Sequence, residues 1–493
     1  MAWGGNDGAV ERWIKQLEEN DPKLVSLHIL SFRPISTLEL SRIFKAVAGN
    51  TVLKELYCSG HGLDRNAMEQ LSEALTLNDT LELLNIGNTT LGQDQALLSI
   101  FCEGLAVNEG LKTLDLENKG LGQQPEALSL LVKSIQQHPT IQHVYLGRNE
   151  LDDLTVGALA QWLTTATCSP TSSLRCLRLN MNSIGREGAH VLAKALADSD
   201  KHSSLVGSGL TELDLSENPL MDGAGPLANQ IVTRCSSLHT LKLMNVCTPS
   251  ELDDDLELPP PTMDSEEVER ALESRNQAEL EKASPLGNAL MDAVCQGLKA
   301  RGECNTLQSI WLDQNGIESC GLSLLDQHTT GLKELHLRGN RIDDTGANYL
   351  ARCESLQHVE LGANNIGCDG LATLLGTNSL TYVGLFSNPI NGFSQDQDGG
   401  KVELPRFKNS QIQSLDIGGC GISLSDVEAM ARMLLDDGLP NLTLLEMGGN
   451  VEDKDMESWE LVMNELKERR PDIHIAWRRL AKEMDSNKPP FIK

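Results

Sequence analysis

The sequence predicts an α/β fold: a curved βα solenoid of about 14 repeats, with a parallel sheet on the concave face and helices on the convex face. A frame of the form L-x-x-L-x-L-x-x-N-x-L recurs, most clearly in LTELDLSENPL from Leu210 and in LKELHLRGNRI from Leu332. Apart from one long interval, successive copies follow at an average of about 29 residues. A unit of that size cannot cover its own apolar face, so the units are expected to stack and bury a continuous core.

The frame occurs 14 times in the 493 residues. Its first apolar residue is Leu24, Leu53, Leu81, Leu111, Ile141, Leu174, Leu210, Leu238, Leu307, Leu332, Leu356, Leu380, Ile412 and Leu442.

Each copy predicts one strand followed by one helix. The alternating apolar positions at the centre of the frame, such as Leu213 and Leu215, fit a short strand with one buried face. A turn follows, and then a segment such as REGAHVLAKALAD, whose apolar residues fall on one side of a helix.

The ninth position of the frame is asparagine in eight copies. These residues are Asn149, Asn182, Asn218, Asn315, Asn340, Asn364, Asn388 and Asn450. A buried amide at the strand-to-helix turn can pair backbone groups of the neighbouring turn, so we expect a structural asparagine ladder. The other copies hold Phe32, His61, Thr89, Lys119, Val246 and Cys420. Cysteine is a permitted substitute, whereas the four early departures predict a looser N-terminal part.

The ends and one long interval set the expected domain boundaries. Segments with helical spacing lie before the first repeat and after the last, and IHIAW predicts a final strand. We therefore expect an N-terminal capping helix (1–23), repeats 1–8 (24–246), a flexible acidic insertion (247–284), the rest of repeat 8 with repeats 9–14 (285–453), and a C-terminal cap helix, strand and tail (454–493).

The insertion accounts for most of the 69 residues between Leu238 and Leu307. It holds twelve acidic and three basic residues, with consecutive prolines at 259–261. This composition predicts an exposed acidic loop with a short helix from Ser265 to Lys282. The loop either receives a basic patch of a partner or is a solvated insertion, and the sequence leaves both readings open.

With these residues, the chain resembles the leucine-rich repeat proteins of the ribonuclease-inhibitor type, whose long repeats pair a strand with an α-helix. The resemblance covers roughly Leu24 to Asn450. It implies a leucine-rich repeat horseshoe. It implies little about function, because members of that subfamily include enzyme inhibitors, GTPase activators, actin-filament caps and immune sensors.

Composition restricts the partners. Forty-one basic and 70 acidic residues give a formal charge of −29, which disfavours nucleic acid and anionic membrane surfaces. The twelve cysteines show no C-x-x-C spacing, and no apolar run is long enough for a signal or membrane span. We expect reduced thiols and a cytoplasmic, or alternatively nuclear, protein.

The sequence contains no motif whose spacing carries a catalytic mechanism. Phosphate-binding G-x-x-x-x-G-K-[ST], H-E-x-x-H and G-x-S-x-G are all missing, and no Cys/His cluster has zinc spacing. We therefore expect no catalytic residue, cofactor or metal site.

Binding residues are expected on the solvent-facing side of the strands. The candidates are Tyr145, Arg178, Trp311, His336, Tyr382 and Phe386. An aromatic side chain there gains nothing from core burial, and binding hot spots are enriched in Trp, Tyr and Arg. Alternatively, each ring packs sideways on a side chain of the next repeat, as cross-strand neighbours do.

Glycine pairs occur beside the last strands. They are Gly418-Gly419 and Gly448-Gly449, and Gly362-Ala363 is similar. Missing side chains would let the backbone of a partner approach, or the glycines satisfy the backbone geometry of the turn.

The leading hypothesis is a non-enzymatic scaffold that binds a protein, one with a basic surface, on its concave face, as an adaptor or as a subunit of a larger complex. The alternative is a regulator of a small GTPase, because the architecture resembles the Ran GTPase-activating protein. Ile184-Gly185-Arg186 loosely matches the Gly-Arg pair of that family with its spacing off by one, and the continuous acidic tail of that family is missing.

Overall fold

The computed structural model describes residues 7–136, 138–168, 173–198, 209–248, 265–302, 305–325, 331–392, 404–451 and 455–478. The chain forms two compact units, an N-terminal unit (Met1–Asp254) and a C-terminal unit (Asp255–Lys493).

The N-terminal unit alternates helices and strands, and its eight strands form a parallel sheet in chain order. The strands are β1 (Ser26–His28), β2 (Glu55–Ser59), β3 (Leu83–Gly87), β4 (Thr113–Asp115), β5 (His143–Tyr145), β6 (Cys176–Arg178), β7 (Glu212–Asp214) and β8 (Thr240–Lys242). The helices are α1 (Asp7–Glu18), α2 (Thr37–Ala48), α3 (Arg65–Leu77), α4 (Gln95–Val107), α5 (Pro125–Gln136), α6 (Val156–Cys168), α7 (Arg186–Asp198) and α8 (Ala224–Arg234).

The C-terminal unit contains seven parallel strands, also paired in chain order. They are β9 (Ser309–Trp311), β10 (Glu334–His336), β11 (His358–Glu360), β12 (Tyr382–Gly384), β13 (Ser414–Asp416), β14 (Leu444–Glu446) and β15 (His474–Ala476). Its helices are α9 (Ser265–Arg301), α10 (Asp344–Leu350), α11 (Cys368–Leu375), α12 (Leu424–Leu435) and α13 (Met456–Arg469).

The strand register explains how the repeats share one core. Leu335 is paired with Ile310 on one side and Val359 on the other, and all three side chains are fully buried. Neighbouring residues of a strand point to opposite faces, so the residues that flank each of these positions lie on the face away from the core. This arrangement confirms the predicted βα solenoid of leucine-rich repeats in each unit, with one strand for each of the 14 frames and β15 beyond them.

Not every repeat contains the expected helix. Between β9 and β10, the described residues form only a 3₁₀ turn, Ser319–Leu322. The prediction of one α-helix per repeat is therefore wrong for that described segment.

Helix α9 also differs from the prediction. Instead of a short helix ending at Lys282, one 37-residue helix runs through Pro285 and across the expected boundary at 284. A proline inside a helix removes a hydrogen bond and costs about 3 kcal/mol. In the turn before the proline, the Arg341 guanidinium donates to Ser284 Oγ at 3.0 Å and pairs with a carboxylate oxygen of Glu281 at 3.4 Å, so two side chains of this turn are tied to the residue that follows Asn340. The first part of the acidic insertion, 249–264, lies outside the described residues.

The predicted asparagines occupy the strand-to-helix turns. Asn364 is representative: its amide nitrogen donates to the carbonyls of Leu361 and Leu337, both at 2.9 Å, and its oxygen accepts from the backbone N–H of Ile342 at 3.0 Å. All eight asparagines donate to backbone carbonyls near strand ends, and seven are buried. Seven of the amides also donate to a carbonyl of the preceding repeat and so join the two repeats; they belong to Asn149, Asn182, Asn218, Asn340, Asn364, Asn388 and Asn450.

A second row of buried polar side chains lies at the opposite, helix-to-strand turns. Asn78 donates to the carbonyl of Asn50 at 2.7 Å and accepts from the N–H of Leu81 at 2.8 Å. Asn50, Asn108 and His138 hold corresponding positions, and all are buried. The sequence signal for this row is a polar residue three positions before the first apolar residue of the frame.

The early repeats, for which a looser structure stays a prediction, contain most of the described members of this second row. The early repeats lack asparagine at the strand-to-helix turn. At the helix-to-strand turn, they carry a buried polar side chain that pairs backbone groups in a similar way. At the ninth position of its repeat, Lys119 is buried, and its ammonium donates to Ser59 Oγ at 2.6 Å. Burial lowers the pKa of Lys119 and also lowers that of His138, to about 4.

Replacing Asn364 by alanine should lower the free energy of unfolding by about 1–3 kcal/mol, because the buried N–H of Ile342 loses its partner and the carbonyls of Leu337 and Leu361 each lose one of two amide donors. Asn348→Ala is the matched control, since the amide of Asn348 bonds only at the exposed surface of α10, and its cost should stay below about 0.5 kcal/mol. Urea unfolding measures both, and equal losses would contradict the role assigned to the ladder.

Candidate protein-binding surface

The candidate surface is the sheet face of the C-terminal unit, which lies opposite the buried leucines. Its central row contains the residues that follow the buried middle position of each strand. In register, these are Trp311, His336, Glu360, Gly384, Asp416 and Glu446.

Four rings form a continuous aromatic stack on this face: Trp311, His336, His358 and Tyr382. The ring centroids of Trp311 and His336 are 3.9 Å apart, those of His336 and His358 are 5.1 Å apart, and those of His358 and Tyr382 are 4.0 Å apart. The expected sideways packing therefore occurs, and all four residues keep part of their surface exposed. His358 was missed by the sequence prediction, although the register of β11 and β12 places it directly beside Tyr382.

Phe386 lies beyond the stack, just past the end of β12. Its side chain is 41% exposed, and the guanidinium of Arg338 lies 5.9 Å from the ring centroid. A methyl group on Gly418 would lie 3.0 Å from the ring, so this glycine provides space for Phe386. The ring therefore presents a large apolar surface next to a cation.

The glycine pairs are better explained by the backbone geometry of the turn than by the approach of a partner's backbone. Gly419 and Gly449 have φ values of +62° and +82°, and Ala363 and Ser387 adopt the same left-handed region at corresponding turns. The residue at this position adopts the left-handed conformation in 12 of the 14 repeats, and glycine adopts it without strain.

Three carboxylates form what we call the carboxylate row: Glu360, Asp416 and Glu446. The oxygens of Glu360 accept from the Tyr382 hydroxyl at 3.0 Å and from the Gly362 N–H at 3.1 Å. Because Gly384 has no side chain, the Glu360 carboxylate extends across it toward Asp416. Asp416 and Glu446 are direct neighbours on adjacent strands.

Part of the negative charge on this face is buried, and burial shifts the pKa values of these groups. Burial raises the pKa of Asp313 to about 6, against the opposing hydrogen bond from the Arg338 N–H. Burial also raises the pKa of Asp416, with smaller contributions from Glu446 and Glu360. Burial lowers the pKa of His358, which favours its neutral form.

On the sheet face of the N-terminal unit, the carboxylate of Glu212 is paired with basic side chains of the same unit. The Arg178 guanidinium lies 4.6 Å from the centre of the Tyr145 ring and 3.3 Å from a Glu212 oxygen. The Lys242 ammonium lies 3.4 Å from the same oxygen. The predicted residues Tyr145 and Arg178 thus contact each other, whereas Trp311, His336, Tyr382 and Phe386 belong to the face of the C-terminal unit.

Arg186 lies in the helix layer, not on the sheet face. It is the first residue of α7, and its guanidinium pairs with Asp222 at 2.5 Å. This placement adds no support to the GTPase alternative.

The described residues contain neither a candidate membrane-spanning helix nor a candidate metal site. No described helix has the length and apolar character needed to cross a bilayer. Within the same residues, no three or more His, Cys, Asp or Glu side chains are grouped in a way that could hold a metal ion.

Comparison with known proteins agrees with the repeats. The leucine-rich repeat family model matches residues 330–351. A ribonuclease inhibitor from Sus scrofa is 28% identical over 354 residues, covering 58% of this chain and 73% of that protein. A Tonsoku-like protein from Bos taurus is 27% identical over 329 residues, covering 64% of this chain and 22% of its own length, so the chain spans about a fifth of that relative.

Among solved structures, an internalin from Listeria monocytogenes aligns with 95% of this chain and 94% of its own at 17% identity. The TM-score of this alignment is 0.39.

The raised pKa of Asp313 predicts a pH-dependent gain of stability in the Asp313→Asn variant. In the wild type, the folded state holds a proton up to about pH 6, whereas an unfolded aspartate loses it near 3.8. The free energy of unfolding therefore falls as the pH rises from about 4 to about 6, where only the folded state still holds the proton, and levels off above about 6. Relative to the wild type, the variant should gain about 1–2 kcal/mol between pH 4 and pH 7. Urea unfolding of both proteins at the two pH values measures this gain, and a difference that does not change with pH would refute it.

Proposed function

The chain is a leucine-rich repeat protein of the ribonuclease-inhibitor type, and from that premise we propose that it is a non-enzymatic scaffold that binds a protein partner through the sheet face of its C-terminal unit. Proteins built from these repeats generally mediate protein–protein interactions. The same proposal fits an adaptor and a subunit of a larger complex.

The observation that supports this surface best is the aromatic stack together with Phe386. The chain has only 6 Trp, 4 Tyr and 7 Phe, 17 in all, and three of them, Trp311, Tyr382 and Phe386, lie on this face. Large rings that are already held in place lose little entropy when a partner covers them. Aromatic side chains of this kind typically dominate the binding energy of an interface.

Charge supports a partner with a basic surface. Five carboxylates lie on the face, on Asp313, Glu334 and the carboxylate row, and Arg338 is a cation beside them. A partner with complementary charge would associate faster and with the correct orientation. Tyr145 and Arg178 enter the proposal as a second contact area, on the N-terminal unit.

The double variant Trp311→Ala/Phe386→Ala should lose the partners that the wild-type chain retains. Removing two hot-spot rings typically costs at least about 2 kcal/mol of binding free energy, roughly a thirtyfold loss of affinity. The measurement is native pull-down from cells with quantitative mass spectrometry of the retained proteins.

The matched control is Phe32→Ala/Leu461→Ala, which removes apolar side chains that are 81% and 73% exposed elsewhere. It should leave the set of retained proteins unchanged. An identical set for the wild type and the Trp311/Phe386 variant would reject the sheet face as the binding surface.

A further inference from the structure

We infer that the partner inserts an arginine side chain between the carboxylate row and the neighbouring rings of the C-terminal unit. The inference rests on the proposed function and specifies the chemistry of the partner at that surface. It follows from a comparison of how the two units balance charge on their sheet faces.

The N-terminal unit supplies its own cations. Arg178 is held between the Tyr145 ring and the Glu212 carboxylate, and Lys242 contacts that carboxylate as well. Despite burial, these two cations lower the pKa of Glu212. On this face, the carboxylate is thus paired with a guanidinium of the same unit, and that guanidinium also lies against an aromatic ring.

The face of the C-terminal unit has rings, carboxylates and the cation Arg338, which lies beside Phe386 and does not pair with the carboxylate row in the described part of the chain. Within the described parts of the chain, Glu360, Asp416 and Glu446 form no ion pair, and their hydrogen bonds come from the Tyr382 hydroxyl and from backbone N–H groups. The pKa of Asp416 is raised, the opposite of Glu212. A cation placed here would relieve the repulsion among carboxylates that lie on adjacent and next-adjacent strands.

The surface leaves room for such a side chain. The Glu360 carboxylate occupies the space over Gly384, but nothing within 4 Å would contact a methyl group on Gly448, at the end of the carboxylate row. Rings flank the row, with Tyr382 bonded to Glu360 and Phe386 beside Gly418. A flat cation can therefore lie against a ring while it reaches a carboxylate.

Arginine fits this arrangement better than lysine or a metal ion. Its planar guanidinium binds carboxylates with two parallel hydrogen bonds and stacks on aromatic faces, whereas the lysine ammonium is a compact, strongly hydrated charge. Arg178 over Tyr145 and Arg338 near Phe386 show the same pairing within the chain. The described carboxylates are not grouped as metal ligands.

The test uses the full chain and three fluorescein-labelled peptides of equal length, in which glycine alternates with arginine, lysine or citrulline. Citrulline keeps the shape of arginine and removes its charge. Fluorescence anisotropy at 150 mM salt should show binding of the arginine peptide at least about threefold tighter than that of the lysine peptide. The citrulline peptide should not bind.

Two triple variants with equal charge separate this site from the general acidity of the chain. Glu360→Gln/Asp416→Asn/Glu446→Gln should weaken binding of the arginine peptide by about tenfold or more. Asp437→Asn/Glu457→Gln/Glu468→Gln removes three exposed carboxylates of the helix layer and should change it by less than about twofold. Circular dichroism and thermal unfolding confirm that both variants fold.

Equal weakening in both triple variants, equal affinity for arginine and lysine, or no binding of the arginine peptide would overturn the inference. The pull-down separates this failure from that of the proposed function. If Trp311→Ala/Phe386→Ala loses its partners while the carboxylate-row variant retains them, the sheet face is the binding surface and the arginine is not part of it.

Discussion

The pairing of buried backbone groups at the turns is the constraint on which the rest of the structure depends. Each repeat turns its chain inside the protein, where water cannot satisfy N–H and carbonyl groups. The amide of Asn364 meets both needs at once, because it bonds to carbonyls of two repeats and to an N–H of the earlier one. Strand register follows from this link, and register decides which side chains become neighbours on the open face.

Much of the fold could be predicted from the sequence, because the frame repeats the same local requirement 14 times. The path of α9 could not, since the contact that supports the turn before Pro285 comes from Arg341, 57 residues beyond Ser284. The row at Asn78 was missed for a different reason. This row recurs at the same interval as the frame but lies three residues before it. The frame itself therefore gave no reason to expect a buried amide there.

The sequence could predict which face of the sheet carries the candidate site. It could not predict which side chains contact one another on that face. Alternation along a strand identifies Trp311 and Tyr382 as outward residues. It does not reveal that His358 completes the stack between them, because that depends on pairing across β10, β11 and β12. The approach of Glu360 toward Asp416 likewise depends on the missing side chain of Gly384, which is informative only once the strands are in register.

Sideways packing and partner binding are complementary properties of the aromatic stack, although the sequence presents them as alternatives. A lone exposed tryptophan on a strand samples several rotamers and loses that freedom when it is covered. Here, His336 supports Trp311 at 3.9 Å, and Tyr382 is fixed both by His358 and by its bond to Glu360. The rings therefore lose part of their side-chain conformational entropy during folding and not on binding. The surface that remains exposed is rigid. A rigid aromatic surface beside unbalanced carboxylates favours partners that bring both a flat apolar area and a positive charge.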